Sequence, residues 1–194
     1  MIDFILPGQL GFSILSAGVF GTAFVFFSLR QTLVLKRFFA TPVSRLVIVC
    51  GEGLSRLIFQ LGGSLIILLV GKYLFGFTLI KGFWTICEML LLSALGLIVS
   101  MGFGFVVSGI ANSENTIPPI ANIITLPQFL LCGTFFPIDA FPDWLQPICK
   151  ALPLTYLNDA LRQVAFEGAS LIDISHQILI ITLWGIAEIG RAHV

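Results

Sequence analysis

Apolar runs of membrane-crossing length, separated by short polar breaks, set the pattern of this chain. The first covers about residues 4–29, the second 53–74, the third 84–110 and the fourth 120–136. A fifth begins near Leu171 and is continuously apolar only over 178–187. A helix rises about 1.5 Å per residue, so about 20 apolar residues cross a hydrocarbon core about 30 Å thick. The pattern predicts an all-α fold, a polytopic membrane helical bundle with four complete spans and part of a fifth. Residues 1–187 read as a single domain.

Within the spans, small residues recur at helical spacing. Ser13, Ala17 and Gly21 stack on one face of the first helix, and Gly96, Ser100, Gly104 and Ser108 on one face of the third. Lipid gives helices no hydrophobic reason to associate, so close approach of small faces is what packs them. Both stripes are expected helix contacts, and packing is a better account of Ser100 and Ser108 than chemistry. Pro7 sits in an opening turn, whereas Pro127 lies inside the fourth span and should kink it.

Residues 133–168 break the pattern. Pro137, Pro142, Pro147 and Pro153 rule out one spanning helix, while Phe136, Trp144 and Tyr156 make the stretch too apolar for a solvated loop. Two short helices lying in or dipping into the interface fit it. One starts at Pro142-Asp143-Trp144, with proline and an acid where a helix start favours them. The other runs over about 155–167, with Asp159 and Arg162 at i, i+3.

Composition agrees with a lipid solvent. The chain is 57% hydrophobic and 10% charged, with mean hydropathy +1.04, far below the roughly 25% charge of a soluble domain. Its net charge is zero, so no basic surface invites nucleic acid. Five of the ten basic residues fall between Arg30 and Arg56, flanking two spans. The positive-inside rule puts that stretch on the cytoplasmic side and residues 133–168 outside. With the turns alternating, the count is five basic residues against four, and density at the span ends carries the assignment.

Catalytic chemistry is sparse. No GxxxxGK[ST] or GxGxxG is present, so no nucleotide site of those kinds is expected, and no HExxH suggests a metal. Cys50, Cys87, Cys132 and Cys149 make no CxxC pair and read as buried thiols. Asp173 and His176 are spaced to pair, though a helix start explains both. Glu88, beside Trp84, reads as an acid reaching interfacial water. No cofactor or metal is expected. An intramembrane enzyme would lack its base and ligands.

Two separated motifs carry a resemblance. Arg30, followed by Leu35-Lys36-Arg37-Phe38-Phe39-Ala40-Thr41-Pro42-Val43-Ser44-Arg45, is similar to the permease subunits of ABC-2 type exporters. So is the later series Leu131-Cys132-Gly133-Thr134-Phe135-Phe136-Pro137, Phe141-Pro142-Asp143-Trp144-Leu145-Gln146-Pro147, Leu152-Pro153-Leu154-Thr155-Tyr156 and Asp159-Ala160-Leu161-Arg162. The resemblance covers about residues 5–187 and is nearest to drug-efflux-like members.

It implies a six-helix permease in a bacterial inner membrane, of which this chain carries about five helices, lacking the first and truncated in the last. It implies a homodimer or a paralogous permease partner, and ATP bound by a separate subunit. Leu35, Lys36, Arg37, Phe38, Phe39, Ala40, Thr41 and Pro42 would couple to that ATPase. Gly133, Phe136, Pro137, Pro142, Trp144, Pro153, Tyr156, Asp159 and Arg162 would form an outer gate or re-entrant segment. The substrate expected is hydrophobic or amphipathic, drug-like or lipid-like. Export of polysaccharide or lipid-linked glycan, or a scaffold that recruits an ATPase without transporting, are the alternatives. Residues 188–194 resemble a translated DNA-sequencing adapter and read as a non-native tail; coding sequence that continues natively through them would refute this.

Overall fold

The computed structural model of the chain describes residues 2–32, 45–77 and 80–191. Among the described residues the elements are helical: α1 (Ile2–Gln31), α2 (Arg45–Phe75), α3 (Phe83–Ile110), α4 (Ile117–Leu131), α5 (Gln146–Ala151), α6 (Pro153–Arg162) and α7 (Ser175–Arg191). A π-helical turn, Gln163–Glu167, extends α6. Three helices are long and apolar enough to cross a membrane, over Phe4–Gln31, Cys50–Phe75 and Phe83–Ile110.

The fourth expected span is shorter than its hydropathy suggests. α4 has 15 residues and ends at Leu131, a length of about 22 Å. The chain turns at Gly133, whose φ of +70° lies in the left-handed region that glycine enters without a Cβ clash. The basic stretch also divides differently. α2 begins at Arg45 rather than near residue 53, so Glu52 joins Arg56 in the helix.

α1 and α3 make the central contact, and they run parallel. A Cβ on Gly18 would meet Ser100, and one on Gly104 would meet Thr22 and the backbone oxygens of Val19 and Gly18 at 2.7–2.9 Å. Two backbones approach this closely only where side chains are absent or small. Gly104 and Ser100 therefore sit at the tightest crossing. On α1 the partner is Gly18, one residue after Ala17, so the Ser13–Ala17–Gly21 face is not the α3 contact.

α2 is peripheral. It leaves Leu54, Ile58, Phe59, Ile66 and Tyr73 exposed, a surface suited to hydrocarbon. α7 covers the other side of α3, where Gly185 meets Val99 and Trp184 lies 6.4 Å from the Phe103 ring. This helix continues through Glu188, which is buried beside Gly102.

Candidate functional site: a re-entrant pair locked to the bundle

The Leu35–Pro42 coupling residues lie outside the described residues. Their neighbours on α1 are placed. Arg30, in the last turn of α1, donates to the carbonyls of Ala111 at 2.6 Å and Gly109 at 3.3 Å. These are carbonyls at the end of α3 that the helix itself leaves unpaired. One guanidinium thus ties the ends of the two central helices together.

The second candidate set surrounds α5 and α6. Leu152 is extended and Pro153 occupies the first helical position of α6, where its missing N–H costs nothing. The hydroxyl of Thr155 donates to the carbonyl of Cys149 at 2.5 Å, closing the turn between the helices. α6 then runs antiparallel to α1, with Leu154 and Asn158 against Gly11 and Arg162 against Phe4. A Cβ on Gly96 would collide with Leu157, so α6 reaches the level of a residue near the middle of α3. With Leu15, Ser100 and Gln128, Pro153 and Leu154 enclose a void of about 10 Å³, near the size of one water. The pair is re-entrant, dipping into the bundle rather than lying on its rim.

Arg162 is the hub. Its guanidinium donates to the carbonyls of Gly133 and, at 3.3 Å, Phe4; it stacks 3.8 Å from the Phe4 ring and lies 3.9 Å from Asp159. It joins the start of α1, the turn after α4 and the end of α6.

Of the nine expected gate residues, Gly133, Pro153, Asp159 and Arg162 meet around this hub or the α5–α6 turn. Tyr156 is half-buried against the core. Phe136, Pro137, Pro142 and Trp144 are exposed.

Sequence reasoning missed Asn158. It is fully buried and donates to the Cys132 carbonyl at 3.0 Å and the Thr134 hydroxyl at 3.4 Å. A signal existed, because Asn158 falls at i+4 from Leu154 and i−3 from Leu161, inside the buried apolar stripe of α6. A polar residue there needs a partner. Gln128, also buried, was missed for the same reason.

Between α6 and α7, Asp173 does not need His176. Its carboxylate accepts from the Ser170 N–H at 2.8 Å and the Ser170 hydroxyl at 2.9 Å. The backbone bond first, and the hydroxyl second, hold this exposed carboxyl below the usual carboxylate range. A depressed folded pKa makes the turn's stabilisation complete above the unfolded value of about 3.9 and lost as pH falls through the folded value. Carbon-detected NMR titration of Asp173 should give a midpoint below about 3.9; one at or above it would remove the capped turn.

A family model described as "ABC-2 type transporter" matches residues 2–166. The chain is 27% identical over 171 residues to ABC transporter G family member 20 of Dictyostelium discoideum, covering 88% of this chain and 23% of that protein. It is 26% identical over 167 residues to the linearmycin resistance permease protein LnrN of Bacillus subtilis, covering 84% and 42%. It is 22% identical over 142 residues to the Escherichia coli protein named "Probable multidrug ABC transporter permease YbhR", covering 73% and 38%. The chain thus spans less than half the length of these curated relatives. No solved structure is a significant match.

Proposed function

The chain belongs to the ABC-2 type transporter family, and from that premise we propose that it is membrane-embedded permease sequence of an exporter. It moves a hydrophobic or amphipathic substrate out of the cytoplasm of a bacterium, driven by ATP hydrolysed on a separate ATP-binding subunit. The match over residues 2–166 carries this reading. The drug-like or lipid-like substrate class draws support from relatives named for linearmycin resistance and multidrug transport.

Two contacts in the bundle support a route for the stroke. In the sequence Leu35–Pro42 follows α1 and precedes α2, and it is there that the ATP-binding subunit pushes. Arg30 carries a displacement of α1 into the end of α3, and Leu157 against Gly96 carries α3 into the re-entrant pair. The Arg30 end faces the cytoplasm, and two copies or two paralogues complete the path.

Replacing Arg37, Phe38 and Phe39 together by Ala in the full-length permease, reconstituted with its ATP-binding subunit, tests the coupling. Membrane insertion should persist, while transport and substrate-stimulated ATP hydrolysis are lost. Unchanged co-purification with the ATPase together with unchanged transport would refute the assignment.

A further inference from the structure

Residues 52, 56, 60 and 64 of α2 are Glu, Arg, Gln and Ser, one turn apart and therefore on one helix face. The exporter reading leaves them without a role. Glu52 and Arg56 form an ion pair of 2.8 Å, with side chains 27% and 18% exposed. Gln60 donates to the Ser64 hydroxyl at 3.4 Å, and Ser64 is fully buried. Glu52, Arg56 and Gln60 line a cleft of about 390 Å³ between α2, Ala17 of α1 and Leu97 of α3. The small residues of α1 make room for it, since a Cβ on Gly21 would overlap the Arg56 guanidinium.

Depth makes the cleft unusual. Gly21 precedes Arg30 by nine residues, so Arg56 sits about 14 Å along α1 from the end where Arg30 binds α3. Arg56 also falls within Cys50–Phe75, a stretch long and apolar enough to cross a membrane, and ionisable side chains within such spans are costly and line pathways for ions or substrates. The ion pair satisfies only part of the guanidinium. Of its five N–H donors, the Nε–H is buried without a partner. Arg56 and Gln60 both line the cleft, so guanidinium and amide groups border it, a match for an oxygen-rich anionic group. Exposed Phe59 also lines it, giving an alkyl chain a surface on the lipid side.

We propose that this cleft is a binding site for the anionic headgroup of an amphiphile, a phosphate or carboxylate on an alkyl chain, admitted from the cytoplasmic leaflet between α1 and α2. Arg56 donates to the headgroup oxygens, Glu52 aims the guanidinium, and Gln60 extends the polar face deeper. The proposal rests on the exporter reading for its direction of travel and names the substrate's headgroup.

The test uses full-length permease in complex with its ATP-binding subunit, in phosphatidylcholine nanodiscs without nucleotide, titrated with dodecyl phosphate. Arg56→Gln and the charge-neutral double variant Glu52→Gln/Arg56→Gln should each weaken binding roughly tenfold, the loss of one charge-assisted hydrogen bond. The double variant leaves no unpaired carboxylate, so it separates lost binding from lost folding. Inorganic phosphate should not compete, and dodecyl maltoside should bind without dependence on Arg56. Unchanged affinity in the folded double variant would overturn the site. Competition by inorganic phosphate would instead make it a site for a soluble anion, and Arg56-dependent binding of dodecyl maltoside would remove the anionic selectivity. Binding through Arg56 in a complex that exports nothing would sink the exporter reading alone. Export that survives without Arg56-dependent binding would sink the site alone.

Discussion

Arg162→Ala should unfasten the re-entrant pair and abolish transport by the full-length complex. The guanidinium serves two carbonyls, of Gly133 and Phe4, and the Phe4 ring at 3.8 Å. Removing it strands partly buried carbonyls and a carboxylate, Asp159, that has lost its nearest cation. Charge-assisted hydrogen bonds contribute about 1.5–3 kcal/mol each, and a partly desolvated cation–π contact about 1 kcal/mol. The combined loss is on the order of 3 kcal/mol, since the contacts are not additive. Thermal unfolding of detergent-purified protein should show a fall of several degrees. Arg162→Lys should recover only part, because an ammonium lacks the planar fork that reaches two carbonyls at once. An alanine variant that melts with the wild type would remove Arg162 as the hub.

Gly104→Leu should do comparable damage by a different route. The Cβ alone would lie 2.8 and 2.9 Å from backbone oxygens of α1, and backbone cannot rotate aside as a side chain can. Overpacking of this kind costs about 1–3 kcal/mol and more where the neighbour is rigid. The expected result is a lowered melting temperature and loss of the α1–α3 contact. Gly62, where an added Cβ would meet nothing within 4 Å, is the control. Gly62→Ala should be neutral or stabilise by less than about 1 kcal/mol. Equal melting of Gly104→Leu and Gly62→Ala would show that the crossing is not close-packed.

How much of this was legible can be judged residue by residue. The small stripe on the third span was readable, and Gly96, Ser100 and Gly104 all lie at close contacts. The corresponding stripe on the first span named no partner. Ser13, Ala17 and Gly21 share a face, but α3 meets Gly18, and Gly21 instead makes space for Arg56. Periodicity tells which residues share a face and not which neighbour that face meets. The same limit hid the role of Arg56, which the sequence places both in the basic stretch and at the start of the second span without naming the α1 face it meets. Asn158 was hidden by composition, since a lone amide in an apolar stripe signals burial without naming the carbonyl that satisfies it.

The sequence alone determined that the chain is a helical membrane bundle and where its three longest spans lie. In lipid a backbone must satisfy its own hydrogen bonds within each segment, so local hydropathy and length suffice to place a span. Only the tertiary structure decided where α4 stops, how deep α6 dips, and that Arg56 faces a cleft while Arg162 joins three segments. Each of these depends on which surfaces meet at which depth, and that is settled by packing between segments distant in the chain.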